Sequence, residues 1–183
     1  MTDYWFESRW GKRCDLVEPE PDMILVSDIA HSLSNLCRFN GHCSKFYSVA
    51  EHCLRVAELM PGEQYIHGLL HDAHEAWTGD IIHPLKQILD RDGRLKDLEN
   101  KVDSAIYRKL GFARPSEEVR DMIKAADLTM LATERRDLMG PPAGQWPILE
   151  GIDPLPEVIR PMSSPRAKHE WMKALADQWL LWQ

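Results

Sequence analysis

The chain has 183 residues, 44% hydrophobic and 28% charged, with a formal net charge of −7; that suits one all-α or mixed globular domain with a core of its own. The acidic balance argues against a protein that coats DNA or RNA, since polymer binding neutralises many phosphates with Lys and Arg, but a small phosphorylated substrate can still be held locally. No apolar run approaches the ~20 residues needed to cross a bilayer, and Met1-Thr-Asp-Tyr-Trp5 lacks a secretory pattern, so a soluble cytoplasmic protein without a membrane partner is expected.

Residues 1–26 read as an extended, turn-rich extension. Tyr4-Trp5-Phe6 and Cys14-Asp-Leu-Val17 flank Ser8-Arg-Trp-Gly-Lys12, which suits a short hairpin, and Pro19 and Pro21 break it. From Ser27 the period becomes helical, with Ile29, Leu33, Leu36 and Cys37 on one face and an end near Phe39, before Asn40-Gly41. Ser48-Val-Ala-Glu51 is a capping box opening a helix to about Met60, with His52, Val56 and Leu59 at helical intervals. Pro61-Gly62 stops it, and another helix is expected over Glu63 to Ala76.

Thr78-Gly79-Asp80 breaks that pattern, and Pro84 suits the first turn of a short helix over Leu85 to Leu89. Leu95, Leu98, Val102, Ile106 and Leu110 trace a stripe ended by Gly111. A long helix from Ser116 to about Met139 carries Asp127. Residues 141–165 are proline-rich and read as an irregular surface excursion. The last helix, Arg166 to Trp182 within 166–183, sets Trp171, Leu175, Trp179 and Trp182 on one side. Such a stripe covers its own core or a second copy of the chain. A single helical bundle over 1–183 is the expected architecture.

The run His71-Asp72-Ala-His-Glu75 with Asp80, preceded by His52 and followed by Asp127, carries the chemistry. Two imidazoles and two carboxylates offer borderline nitrogen and hard oxygen donors without thiolate, a set suited to Mn, Co, Fe, Zn or Ni more than to Mg. His71 and Asp72, about 100° apart on a helix, can both reach an ion lying between them. Asp127 sits mid-helix, where a carboxylate facing the core is costly unless paired or bound to metal; on an exposed stripe it would simply be solvated. A cation held this way brings the pKa of a coordinated water toward neutrality. The cysteines (Cys14, Cys37, Cys43, Cys53) show no framework spacing, and the His42-Cys43 and His52-Cys53 echo lacks the spacing of a zinc knuckle. The remaining histidines, His74 among them, have no such support, though His31 and His42 could lie behind the site.

The order His52, His71-Asp72, Asp127 resembles the HD-domain phosphohydrolase superfamily, an all-helical fold. The likeness extends through Arg38-Phe39, Ser48-Val-Ala-Glu-His52, Thr78-Gly-Asp80, Pro84-Leu-Lys86 and Lys124-Ala-Ala-Asp127. Together these resemble the small deoxynucleotidases of that superfamily, which include bacterial 5′-deoxynucleoside monophosphatases and phage-encoded dATP triphosphohydrolases. The resemblance covers roughly Asp28 to Glu134. It implies one divalent metal on His52, His71, Asp72 and Asp127, with Glu75 as the catalytic carboxylate and Asp80 assisting it or holding the sugar 3′-hydroxyl. It also implies phosphate contacts from Arg38, Lys86 and Lys124. Phe39 stands where the family often has a Trp packed against deoxyribose, and the Arg38 to His52 spacing is one residue shorter than in the monophosphatases.

The resulting expectation is a metal-dependent dNTP hydrolase, dATP-preferring, in which a metal-bound water releases deoxynucleoside and triphosphate. A 5′-deoxynucleoside monophosphatase is the alternative, since both chemistries share the ligands. A non-catalytic nucleotide-sensing module ranks third, because the chain keeps every ligand and the catalytic acid. The resemblance further implies a homo-oligomer, dimer or hexamer.

Overall fold

The N-terminal turn residues do build a hairpin: β1 (Trp5–Glu7) pairs antiparallel with β2 (Arg13–Asp15), Phe6 opposite Cys14. The structure, a computed structural model, describes residues 3–181. Met1 and Thr2 of the expected extension, and Trp182 of the expected tryptophan stripe, lie outside the described residues. Apart from the hairpin and an isolated bridge between Cys37 and Ser48, the architecture is helical, an all-α fold.

Helix α1 (Val26–Asn35) ends earlier than its period suggests. Leu36 turns extended because the backbone there pairs with the segment ahead of the next helix: the Arg38 N–H donates to the Tyr47 carbonyl at 2.9 Å and the Val49 N–H to Leu36 at 3.1 Å. A 3-10 turn over Arg38–Gly41 follows, with Phe39 (φ 56°) and Asn40 (φ 51°) in the left-handed region. Two such non-glycine residues in a row are uncommon and mark a turn held by its surroundings.

Helix α2 (Val49–Glu58) is the axis of the molecule. The Ser48 oxygen accepts from the Glu51 N–H at 3.2 Å, as a capping box requires. The other half of the box is missing, however. The Glu51 carboxylate accepts instead from Arg55 at 2.7 Å and from the Met162 N–H at 2.6 Å, tying the proline-rich segment to the core. Of the residues at helical intervals along α2, His52 and Val56 are buried and Leu59, just past its end, is exposed.

The helix expected over Glu63 to Ala76 is broken. After a 3-10 turn come α3 (Tyr65–Leu70), a tightened turn through His71–His74, and α4 (Glu75–Thr78). Within the turn the bonds step back three residues rather than four, Ala73 to Leu70 and Glu75 to Asp72, both at 3.0 Å. The tightening swings the His71 and Asp72 side chains relative to a regular helix. α3 lies against α2 closely enough that a Cβ on Gly68 would meet the Ala57 Cα at 2.8 Å.

Then come α5 (His83–Leu89) with Pro84 in its first turn, α6 (Arg94–Leu110) capped by left-handed Gly111, and α7 (Glu117–Leu138) capped by Ser116. The 141–165 excursion is irregular, as expected, but it is fastened: Leu155 N–H donates to Thr133 and Ile159 N–H to Asp137. α8 (Ser164–Leu181) closes the bundle. Trp171 is fully buried with its indole N–H on the Leu69 carbonyl, and Trp179 donates to the Leu110 carbonyl. Trp171 and Leu175 of the stripe therefore cover the chain's own core, while Trp179 stays partly exposed. One apolar cluster joins α1, α2, α3, α6 and α8; a second, of Tyr47, Val56, Met60, Met130 and Leu138 among others, joins α2 to α7. His52 sits on α2 between them.

Candidate metal centre

His52 is completely buried on α2, and its Nδ1 lies 2.6 Å from Glu134 Oε1 on α7. Glu134 is itself fully buried, with His52 and Arg38 lowering its pKa against desolvation, so Nδ1 is the donor to it and Nε2 faces inward. His71 is oriented in the same way, by Nδ1–H donating to the Gly68 carbonyl at 2.8 Å. The tight turn after α3 makes that bond possible. Two imidazoles from different elements thus point their Nε2 atoms at each other, 3.2 Å apart.

The carboxylates complete the cluster. Asp127 Oδ1 lies 3.1 Å from His52 Nε2; Asp72 Oδ2 lies 3.1 Å from His71 Nε2 and 3.6 Å from His52 Nε2. Bonds of roughly 2.0–2.2 Å to a first-row ion place neighbouring donors roughly 3 Å apart. The spacing of His52, His71 and Asp72 therefore fits a single ion, while Asp127 meets that group only at His52 and is the fourth residue that would complete the set. His52, His71 and Asp72 form one cluster able to hold a metal; Asp72, His74 and Glu75 form another beside it. Asp127 is the most open member, with 38% of its side chain exposed, so the centre faces solvent on the α7 side.

Electrostatics follow from burial and proximity. Burial alone would lower the His52 imidazole, but Glu134 and Asp127 outweigh it and raise its pKa. For His71 burial again opposes, and Asp72 prevails, lifting it well above the ordinary value. Asp72 is held well below the usual carboxylate range by His71, His52 and Arg38 against its desolvation. Glu75 moves the other way. Its burial, with the like charges of Asp72 and Asp80, pushes it far up, and its Oε2 has no hydrogen-bond partner. Burial and like charge push the Glu75 carboxyl up while neighbouring cationic groups pull Asp72 down.

Asp80 is raised by burial and by Asp72, against the pull of Arg38. The basic residues are more committed than the sequence suggests. Arg38 is buried and faces Glu134 (3.3 Å), Asp80 (3.7 Å) and Asp72 (3.8 Å). Lys86 lies 2.9 Å from Glu99. Lys124 is exposed one turn ahead of Asp127 on α7.

The sequence reading missed Glu134 and the His74 group. His74 is buried 3.3 Å from Asp103 and 3.8 Å from Glu99, out of line for a hydrogen bond to either. The available signal for Glu134 was its spacing of seven from Asp127, two helical turns along one face.

The fold and the centre define an all-helical protein with a buried His/Asp cluster able to hold a metal ion. No family model matches the chain. It is 47% identical over 131 residues to the uncharacterized protein YfdR of Escherichia coli, a match covering 72% of this chain and 70% of that one. It is also 34% identical over 150 residues to the uncharacterized protein RCAP_rcc00048 of Rhodobacter capsulatus, 76% of each chain. The chain belongs to the family of these proteins.

Proposed function

We propose that this protein is an HD-type, metal-dependent phosphohydrolase of 2′-deoxynucleotides, acting on dNTPs with dATP favoured and giving deoxynucleoside and triphosphate. The observation that carries the reading is the cluster of His52, His71 and Asp72, from α2 and the turn after α3, with Asp127 of α7 against His52, beside buried Glu75 and half-buried Asp80. The preference for dATP rests on the resemblance of the segment from Asp28 to His52 to the phage enzymes. A divalent ion (Mn, Co, Fe, Zn or Ni by donor chemistry) would supply polarisation of a phosphate oxygen and acidify water.

The side chains do the rest. Water oxygen bonds to the α-phosphorus, the bond from phosphorus to O5′ breaks, and one proton moves from the water to O5′. Glu75 suits that proton's passage, because burial and its acidic neighbours favour the neutral form without removing its basicity. Asp80, 3.7 Å from Arg38, would assist Glu75 or hold the sugar 3′-hydroxyl. Arg38 offsets charge on the transferred group, shifting part of its pairing from Asp72 and Asp80 to phosphate. Lys124 reaches the outer phosphates from solvent, and Lys86 does so on leaving Glu99.

A second reading, 5′-deoxynucleoside monophosphatase, is favoured by one observation: Arg38 and Lys86 already have carboxylate partners, which leaves fewer free cations for a triphosphate chain. Retention of Glu75 and Asp80 speaks against a non-catalytic nucleotide sensor. Purified protein incubated with each dNTP and dNMP under Mn²⁺ or Co²⁺, with products identified, tests the proposal. Triphosphate from dATP supports it; turnover of dAMP but not dATP selects the second reading; turnover of neither rejects both.

No described helix is long and apolar enough to cross a membrane. We place the protein in the cytoplasm, where its substrates are, without a nucleic-acid or membrane partner. Exposed Ile88 and Leu89 on α5, and Leu180 and Leu181 at the end of α8, support self-association. Sedimentation at micromolar concentration reads the state directly, a dimer or hexamer being expected.

A further inference from the structure

Four flat groups run in a row away from the metal centre. The Arg38 guanidinium, whose Nη1 lies between Asp72 and Asp80, sits over the Phe39 ring at 5.4 Å. The Phe39 ring lies 6.2 Å from that of Trp146, tilted by 46°. The Trp146 ring in turn is covered by the Arg135 guanidinium at 4.7 Å. Phe39 and Trp146 are both partly exposed. They come from segments more than a hundred residues apart, brought together by the left-handed turn at Phe39 and by the bond Arg135 donates to the Gly144 carbonyl. Beside them, Arg135, Arg136, Met139, Pro141, Pro142 and Gln145 help line a cavity of about 800 Å³.

A partly exposed indole backed by a cation is a rigid platform for another flat ring. The contacts from Asp72 through Arg38 to Phe39 and Trp146 give a phosphate held near Asp72 a line of flat groups for its sugar and base. We propose that Trp146, on the proline-rich segment, is the base-stacking residue of the nucleotide site, with Phe39 against the sugar and Arg135 bracing the indole. The inference rests on the phosphohydrolase reading but not on the number of phosphates. It gives the 141–165 segment a role in binding a purine or pyrimidine ring.

The test compares wild type with Trp146→Ala and Trp146→Phe, using whichever of dATP or dAMP the wild type hydrolyses. Loss of one base–aromatic stack corresponds to roughly 5- to 150-fold in affinity. Trp146→Ala should raise KM by that factor, with a smaller change in kcat, and Trp146→Phe should recover most of the loss. Product inhibition separates binding from general damage. Inhibition by deoxyadenosine should weaken in parallel with KM, while inhibition by the inorganic product, triphosphate or phosphate, should stay within threefold. Equal weakening of both inhibitors, or a KM unmoved in an active Trp146→Ala, overturns the stacking role and leaves the hydrolase reading intact. A wild type that neither hydrolyses nor binds any deoxynucleotide removes both.

Discussion

Glu134 Oε1 stands 2.6 Å from His52 Nδ1, and its other oxygen lies 3.3 Å from Arg38. One fully buried carboxylate thereby orients an imidazole of the metal cluster and anchors the cation beside it. Replacing such a supporting group typically lowers metal affinity by about 10- to 100-fold. Glu134→Gln should therefore weaken Mn²⁺ binding by that factor in equilibrium dialysis, while the fold, followed by circular dichroism, persists. Unchanged affinity would assign Glu134 a purely structural part.

Glu75 is different, because its Oε2 makes no hydrogen bond to any of the candidate ligands. Glu75→Ala should leave one equivalent of metal bound and lower turnover of the preferred deoxynucleotide by about 10²- to 10⁴-fold, the range of a lost general acid–base group. Metal content and initial rates on the same preparation check this. Rates within threefold of wild type would point to another proton carrier.

Metal binding should release protons. His52 and His71 both have raised pKa values, held up by Glu134, Asp127 and Asp72 against desolvation. In the metal-free protein these imidazolium pairs contribute stability below the ordinary histidine pKa, and that contribution is lost as pH rises through the raised folded values. Ligation needs the neutral ring, so affinity grows over the same window. The rise in Tm on adding Mn²⁺ should accordingly be larger at pH 8 than at pH 6. A rise independent of pH would mean that the imidazoles are not the ligands.

Gly68 is where α3 meets α2, and an added Cβ would lie 2.7 Å from Met60 Cγ and 2.8 Å from the Ala57 backbone. Met60 can swing aside; the Ala57 backbone cannot without separating the helices. Gly68→Ala should cost about 1–3 kcal/mol as overpacking, lowering Tm by about 2–4 °C per kcal/mol in a chain of this size. The shift should also disturb the Gly68 carbonyl that orients His71, so metal affinity falls with it. Thermal melts with and without Mn²⁺ read both effects.

Much was legible from residue order. Local rules govern the hairpin at Ser8–Lys12, the Ser48 half of its capping box, the helix start at Ser116, Pro84, Gly111 and the stripe on α6, and these stand where the sequence places them. The choice of His52, His71, Asp72 and Asp127 rests on the ordered family-like pattern rather than on donor type alone, since eight histidines and 29 acidic residues offer the same donors. What local periodicity could not reveal is how backbone groups choose partners across the fold. The break at His71–His74, the early end of α1, and the diversion of Glu51 from its cap to Arg55 and Met162 all arise from contacts between distant segments. Glu134 behind His52, the carboxylates around Arg38 and the Phe39–Trp146 approach are of the same kind. Ligand identity is a property of side chains; their orientation and charge environment come from burial against neighbours far along the chain, which only packing in three dimensions decides.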